Sequence, residues 1–198
     1  MTDQLFLSIW LDRHSQVNRL RHFQKLLRLF PFSQREQPQS TVSILAIDVT
    51  EPPLLEKAIN GPIDLADIEA TLDDYKGDDI AYQVESWWDL WQFDEDWQLK
   101  PARVTLSCFG PAFDNGTERE TGAQEDLRID FGLDSHYLPE EDNAGGARMV
   151  ESNIKSLLRL VHELESDLPV KNRRLETESG ENFATRLQQV LTTAAREH

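Results

Sequence analysis

Apolar residues recur along this chain with two periods, and the switches between them predict its elements. Leu5, Leu7, Ile9 and Leu11 alternate with Phe6 and Trp10, which predicts a strand over 4–11 covered in part on both faces. From Val17 the period lengthens. Val17, Leu20, Phe23, Leu27 and Phe30 recur at helical spacing behind Ser15, a residue type that caps helix N-termini, and Pro31 ends the run. Residues 33–40 are a polar loop. Residues 41–50, rich in branched side chains, predict a buried strand. Pro52-Pro53 predicts the start of a short helix through Leu54, Leu55, Ala58 and Ile59, closed by Asn60-Gly61. Asp64 predicts the cap of a second helix carrying Leu65, Ile68, Leu72 and Tyr75.

Three strands follow. In the first, Ile80, Tyr82, Val84, Trp88 and Leu90 share a face. Past Leu90 the apolar phase moves to Trp91 and Phe93, which predicts a bulge or break there. The second turns Ala102, Val104, Leu106 and Cys108 inward. The third turns Leu127, Ile129, Phe131 and Leu133 inward, with Asp126, Arg128, Asp130, Asp134 and His136 aligned on its outer face. One-sided alternation indicates antiparallel pairing. Gly110–Glu125 and Pro139–Gly146 read as polar, glycine-bearing loops. The clearest helix runs from about Arg148 to Asp167, with Val150, Ile154, Leu157, Leu158, Val161, Leu164 and Leu168 as its stripe. A polar link, Lys171 to Ser179, leads to a last helix with Phe183, Leu187, Val190 and Leu191.

This order predicts an α+β fold, a mostly antiparallel sheet of about five strands with helices packed on one face as a two-layer sandwich. Residues 1–168 form the expected single domain. Residues 169–198 are a C-terminal linker and helix, packed on the body or on a partner.

Charge changes the picture of what the chain can meet. The 36 acids against 20 bases leave a formal net charge of −16. Such a surface repels a phosphate backbone and an anionic membrane, so neither nucleic acid nor membrane is an expected partner, and a basic protein is. A homodimer is compatible with the pattern. Cys108 is the one cysteine, so no internal disulfide forms. No signal peptide is read at the N-terminus, and the cytoplasm is the expected location.

Two sets of residues could carry chemistry. Trp87, Trp88, Trp91 and Trp97 lie within eleven residues, interleaved with acids. Glu85, Trp87, Asp89 and Trp91 share the odd face of their strand. Rings beside carboxylates can stack on sugars, or anchor a partner whose basic residues meet the acids at the rim. The plainer reading makes the same rings part of a core. The second set, Asp130, Asp134 and His136, is a weak acid–base or metal candidate. Alternate strand positions lie about 7 Å apart, too far for adjacent metal ligands, so the plainer reading is a solvated face. A cationic stripe of Asn18, Arg21, Lys25 and Arg28, with His14 at its start, reads as a helix face paired with the protein's own acids. His22 and His162 read as surface histidines, and Cys108 as an inert core thiol. No cofactor, metal ligand set or catalytic signature is read.

In make-up the chain is similar to small acidic inhibitors such as the immunity proteins of bacterial toxin systems, in pattern and element order only. The expected function is a non-enzymatic protein-binding module, inhibitor or immunity-like, holding a basic partner. The alternative is a hydrolase or carbohydrate-binding protein using the carboxylate and tryptophan faces.

Overall fold

Seven segments form strands, five of them foreseen from their alternation or branched side chains and two not. The computed structural model describes residues 3–35, 39–116, 124–138, 146–180 and 182–194. Its strands are β1 (Gln4–Leu11), β2 (Ser40–Ala46), β3 (Leu55–Ile59), β4 (Ile80–Phe93), β5 (Trp97–Phe109), β6 (Leu127–Leu133) and β7 (Val170–Thr177). Its helices are α1 (Gln16–Leu29), α2 (Leu65–Asp73), α3 (Gly146–Asp167) and α4 (Phe183–Ala194), with a 3-10 turn at Asp134–Tyr137. The strands form one sheet in the order β3-β2-β4-β5-β6-β1-β7, antiparallel at every pairing. Among the described residues no helix is long and apolar enough to cross a membrane.

A single apolar cluster joins the inner positions of the sheet to the helices. Leu7 and Ile9 of β1, Val84 and Leu90 of β4 and Ile129 of β6 meet Phe23 and Leu26 of α1 and Ile154 and Leu157 of α3. Each such side chain, fully buried, stabilises the fold by about 1.5–3 kcal/mol. A second, small cluster of Ala81, Phe109 and Phe113 with Leu45 lies apart from it. Asp64 caps α2 as predicted, accepting from Ala66 N and Asp67 N.

The two unforeseen strands explain why the sheet has seven strands and not about five. Leu55–Ile59, predicted helical behind the prolines, pairs with β2. Its burial alternates, with Leu55, Lys57 and Ile59 more covered than Glu56 and Ala58, a period of two that Pro52-Pro53 obscured. Lys171–Ser179, predicted as a polar link, lies largely in β7, paired with β1 along Leu5–Leu11. β7 is an edge strand, and charged outer residues are what such an edge carries. The segment from 169 therefore begins with sheet, and Phe183 and Leu187 of α4 are buried in the main cluster.

Three phases also differ. β4 runs unbroken against β5 from Ala81↔Phe109 to Phe93↔Trp97, so the bulge predicted near Leu90 is absent. The irregularity lies in β6 instead. Gly132 has φ +75, and the β1–β6 register shifts between Gln4 and Phe6. That break reverses the alternation, so Leu133 is exposed and Asp134 buried. β2 ends at Ala46, leaving Ile47 and Val49 outside the strand predicted to bury them.

On α1 the buried face is Arg19, His22, Phe23, Leu26 and Leu27, while Val17 is 94% exposed. His22 is therefore no surface histidine. Its Nδ1 lies 3.3 Å from Nδ1 of His14, whose Nε2 lies 3.1 Å from the Phe109 carbonyl. Burial, then the neighbouring His14, Lys25 and Arg21, push the His22 pKa down to about 4. A base depressed in the fold resists protonation there, so its contribution is complete above the unfolded value near 6.5 and is lost as pH falls from 6.5 towards 4. Between pH 7.5 and 4.5 the protein is expected to lose about 2 kcal/mol of urea-unfolding stability that His22→Gln does not lose. Comparing the two chains matters, because burial raises the Asp126 and Asp130 pKa values, which act in the opposite sense. Equal slopes for both chains would refute the assignment.

The cationic face of α1 pairs internally. Arg28 Nη2 meets Glu69 at 2.6 Å, and Lys25 Nζ donates to the Asp167 carbonyl at 2.8 Å, at the negative end of α3.

Candidate functional site

The β4–β5 hairpin carries Trp87, Trp88, Trp91 and Trp97 and borders a cleft. On the odd face of β4, Glu85, Trp87, Asp89 and Trp91 stand in register with Thr105, Arg103, Pro101 and Leu99 of β5. All four are half-buried. Their even-numbered neighbour Trp88 is core, 4% exposed, with Phe30 and Phe131 against its ring. The strip is thus neither wholly core nor fully open.

Its carboxylates already have partners. Glu85 is ion-paired with Arg103. Asp89 accepts the Ser33 hydroxyl at 2.7 Å, with Arg35 Nε at 3.7 Å. Exposed pairs of this kind are worth little in stability, but they lower the charge left for an outside cation.

The free edge of β4 is satisfied in three stages. β2 pairs it as far as Glu85. Ser33 N then donates to Trp87 O at 2.8 Å. Last, the Asn153 carboxamide of α3 accepts from Trp91 N at 2.9 Å and donates to Trp91 O at 2.8 Å. The same amide group donates to His136 O at 2.8 Å. One buried side chain thereby ties the strand, the 3-10 turn and the helix together.

Where these three meet, a cleft of about 160 Å³ opens between Trp91, Gln92, Phe93 and Trp97 of the hairpin, Ser135, His136 and Leu138 of the turn, and Gly146 and Val150 of α3. Phe93 and Trp97 contact each other with ring centroids 5.5 Å apart. Trp97 Nε1 and His136 Nδ1 are buried without a hydrogen-bond partner among the described residues. Burial lowers the His136 pKa, with Asp134 opposing it, so the imidazole is neutral at physiological pH. Among the described residues the cleft offers ring faces and neutral polar atoms.

The second predicted set does not converge. Asp130 lies on β6 in register with Thr105 and Phe6. Its Oδ1 is buried without a hydrogen-bond partner among the described residues, and burial raises its pKa against the pull of Arg128. Asp134 is past the strand end, 3% exposed, and accepts Asp3 N at 3.0 Å, which anchors the start of β1. Only His136 reaches the cleft. The shared outer face predicted for these residues ends at Leu133, because the chain turns into a 3-10 helix there. Among the described residues no group of three or more histidine, cysteine or acidic side chains could hold a metal ion. Cys108 is fully buried, and burial pushes its thiol pKa far up, so it is no nucleophile. The acidic loop Pro139–Gly146 lies, apart from Gly146, outside the described residues, as do 117–123 of the longer loop.

Asn153 is the residue that sequence reasoning passed over. Its signal was present. It stands three residues after Val150 and four before Leu157, a polar side chain in the middle of an apolar stripe. The chain matches no protein-family model, no curated protein and no solved structure.

Proposed function

We propose that this protein is a non-enzymatic protein-binding module, inhibitor or immunity-like, that holds a basic partner. The reading treats the molecule as two layers, with helices on one face of the sheet and recognition at the tryptophan end of the hairpin. One observation carries it. The ring-lined cleft has a volume of about 160 Å³, below the roughly 300–1,000 Å³ typical of small-ligand sites. It has room for one side chain of a partner. Trp91, on both the strip and the cleft wall, is the anchor in this reading. The hydrolase alternative needs Asp130, Asp134 and His136 together, and they point to separate surroundings.

The test is affinity capture with the tagged full chain from its native cells, at low and high salt, beside a Trp91→Ser variant of unchanged circular dichroism. A basic protein held at low salt, released at high salt and bound about 30-fold more weakly by the variant is the expected result. Equal capture by both chains, or no partner at either salt, would overturn the proposal.

A further inference from the structure

Seven large hydrophobic residues are exposed among the described residues, and three of them, Ile47 (60%), Val49 (45%) and Leu54 (56%), fall in the one short loop between β2 and β3. That loop is rigidly held. Ile47 N donates to Asp79 O at 2.8 Å and Ile47 O accepts from Asp114 N at 2.8 Å. Val49 N donates to Asp114 O at 3.1 Å. Asp48 Oδ1 takes the Thr50 amide and hydroxyl, both at 2.7 Å. Under this clamp Ile47 sits at φ 72, a left-handed conformation that a β-branched residue strongly disfavours. Strain of this kind persists only where the surroundings impose it, and it collects at binding surfaces.

The charge around the loop differs from that at the tryptophan strip. Asp48, Glu51, Asp78, Asp79 and Asp114 are in the loop or in the segments hydrogen-bonded to it. Among the described residues none of the five is ion-paired, whereas Glu85 and Asp89 have Arg103 and Arg35 beside them. Exposed aliphatic side chains in a loop whose own and hydrogen-bonded segments carry unpaired acids have the composition of an interface core with a charged rim.

We infer that the β2–β3 loop is a preformed docking knuckle that inserts Ile47, Val49 and Leu54 into an apolar recess on a basic protein, whose lysines and arginines meet the five surrounding carboxylates. This rests on the basic-partner reading and moves its main electrostatic contact away from the tryptophans. A second copy of the chain does not fit the knuckle, because both surfaces would bring unpaired acids and a net charge of −16.

The test uses the ¹⁵N-labelled full chain titrated with a short peptide alternating lysine and leucine, and separately with oligolysine of equal length. Expected are amide shifts centred on residues 45–54, 78–79 and 113–116 with the mixed peptide. Ile47→Gly combined with Leu54→Ser should weaken that peptide about tenfold and leave oligolysine unchanged. Ile47→Gly alone should not lower the thermal midpoint, since glycine accepts the left-handed backbone. Shifts centred on Trp91 and His136 would overturn the knuckle while leaving the partner-binding reading standing. Shifts spread over all acids, with oligolysine bound as tightly as the mixed peptide, would overturn the knuckle as mere charge attraction.

Discussion

Arg19→Ala is expected to remove about 3–5 kcal/mol of stability in denaturant unfolding through the cavity it leaves and the acceptors it strips, a large part of what a domain of this size has. Arg19 is 1% exposed, and among the described residues it has no ion-paired carboxylate. Its Nη1 donates to Gly77 O at 2.7 Å and Ile80 O at 2.8 Å, and its Nη2 to the Tyr82 hydroxyl at 3.0 Å. The guanidinium carbon lies 4.6 Å from the Tyr82 ring centroid. Tyr82 in turn donates to Tyr75 O at 2.7 Å. The guanidinium therefore fastens α1 to the connection between α2 and β4 through neutral acceptors and a ring face. The fit is close, because a side chain on Gly110 would overlap Asp78 O and crowd Arg19 Nη1. Alanine leaves a cavity and strips those acceptors together. Arg19→Lys should recover little, since one ammonium cannot reproduce a fork reaching three acceptors. Arg19→Met should recover at least half, because it refills the volume and removes the cost of burying a charge. A methionine variant no more stable than the alanine one would show that hydrogen bonding, not packing, dominates at this position.

Much of the fold was legible because burial on one face leaves a period in the sequence. The four longest elements of the fold, β4, β5, α1 and α3, were all predicted as to type. What failed did so for identifiable reasons. β7 reads as Val-Lys-Asn-Arg-Arg-Leu-Glu-Thr, and a sheet edge with few apolar positions carries almost no alternation to detect. The Pro52-Pro53 pair suits a helix start, and it outweighed three alternating residues of β3. On α1 the placement of apolar residues misled, since Val17 faces solvent while Arg19 and His22 turn inward, Arg19 to acceptors at Gly77, Ile80 and Tyr82 and His22 to His14. The candidate site was legible in part. Trp91 and His136 were singled out separately, and their meeting at one cleft depends on Gly132, whose positive φ reverses the strand phase before the chain turns. The pairing of Glu85 with Arg103 follows from the hairpin register, which the expected bulge would have shifted.

Asn153→Ala is expected to cost about 3 kcal/mol and to loosen the cleft at the same time. At 2% exposure its carboxamide makes three hydrogen bonds, one accepted from Trp91 N and two donated, to Trp91 O and His136 O. Alanine leaves that strand amide and both carbonyls without these partners, at about 1–3 kcal/mol for each group that water cannot reach. Asn153→Asp separates hydrogen bonding from size. The carboxylate can still accept from Trp91 N, but its other lone pairs face two carbonyl oxygens, so at pH 7 it should be at least as unstable as alanine. Protonation restores one donor. The introduced carboxyl therefore has a pKa raised by the fold, and its favourable form is present at low pH and lost as pH rises. The stability gap between Asn153→Asp and the parent chain should narrow from pH 7 to pH 4, while the gap for Asn153→Ala should not change in the same way. Tryptophan emission should report the cleft, with a red shift in both variants at pH 7 that reverses on acidification for aspartate only. A pH-independent gap for the aspartate variant would mean that the side chain does not hold Trp91 and His136 as described, and the cleft would lose the tether that gives it a fixed shape.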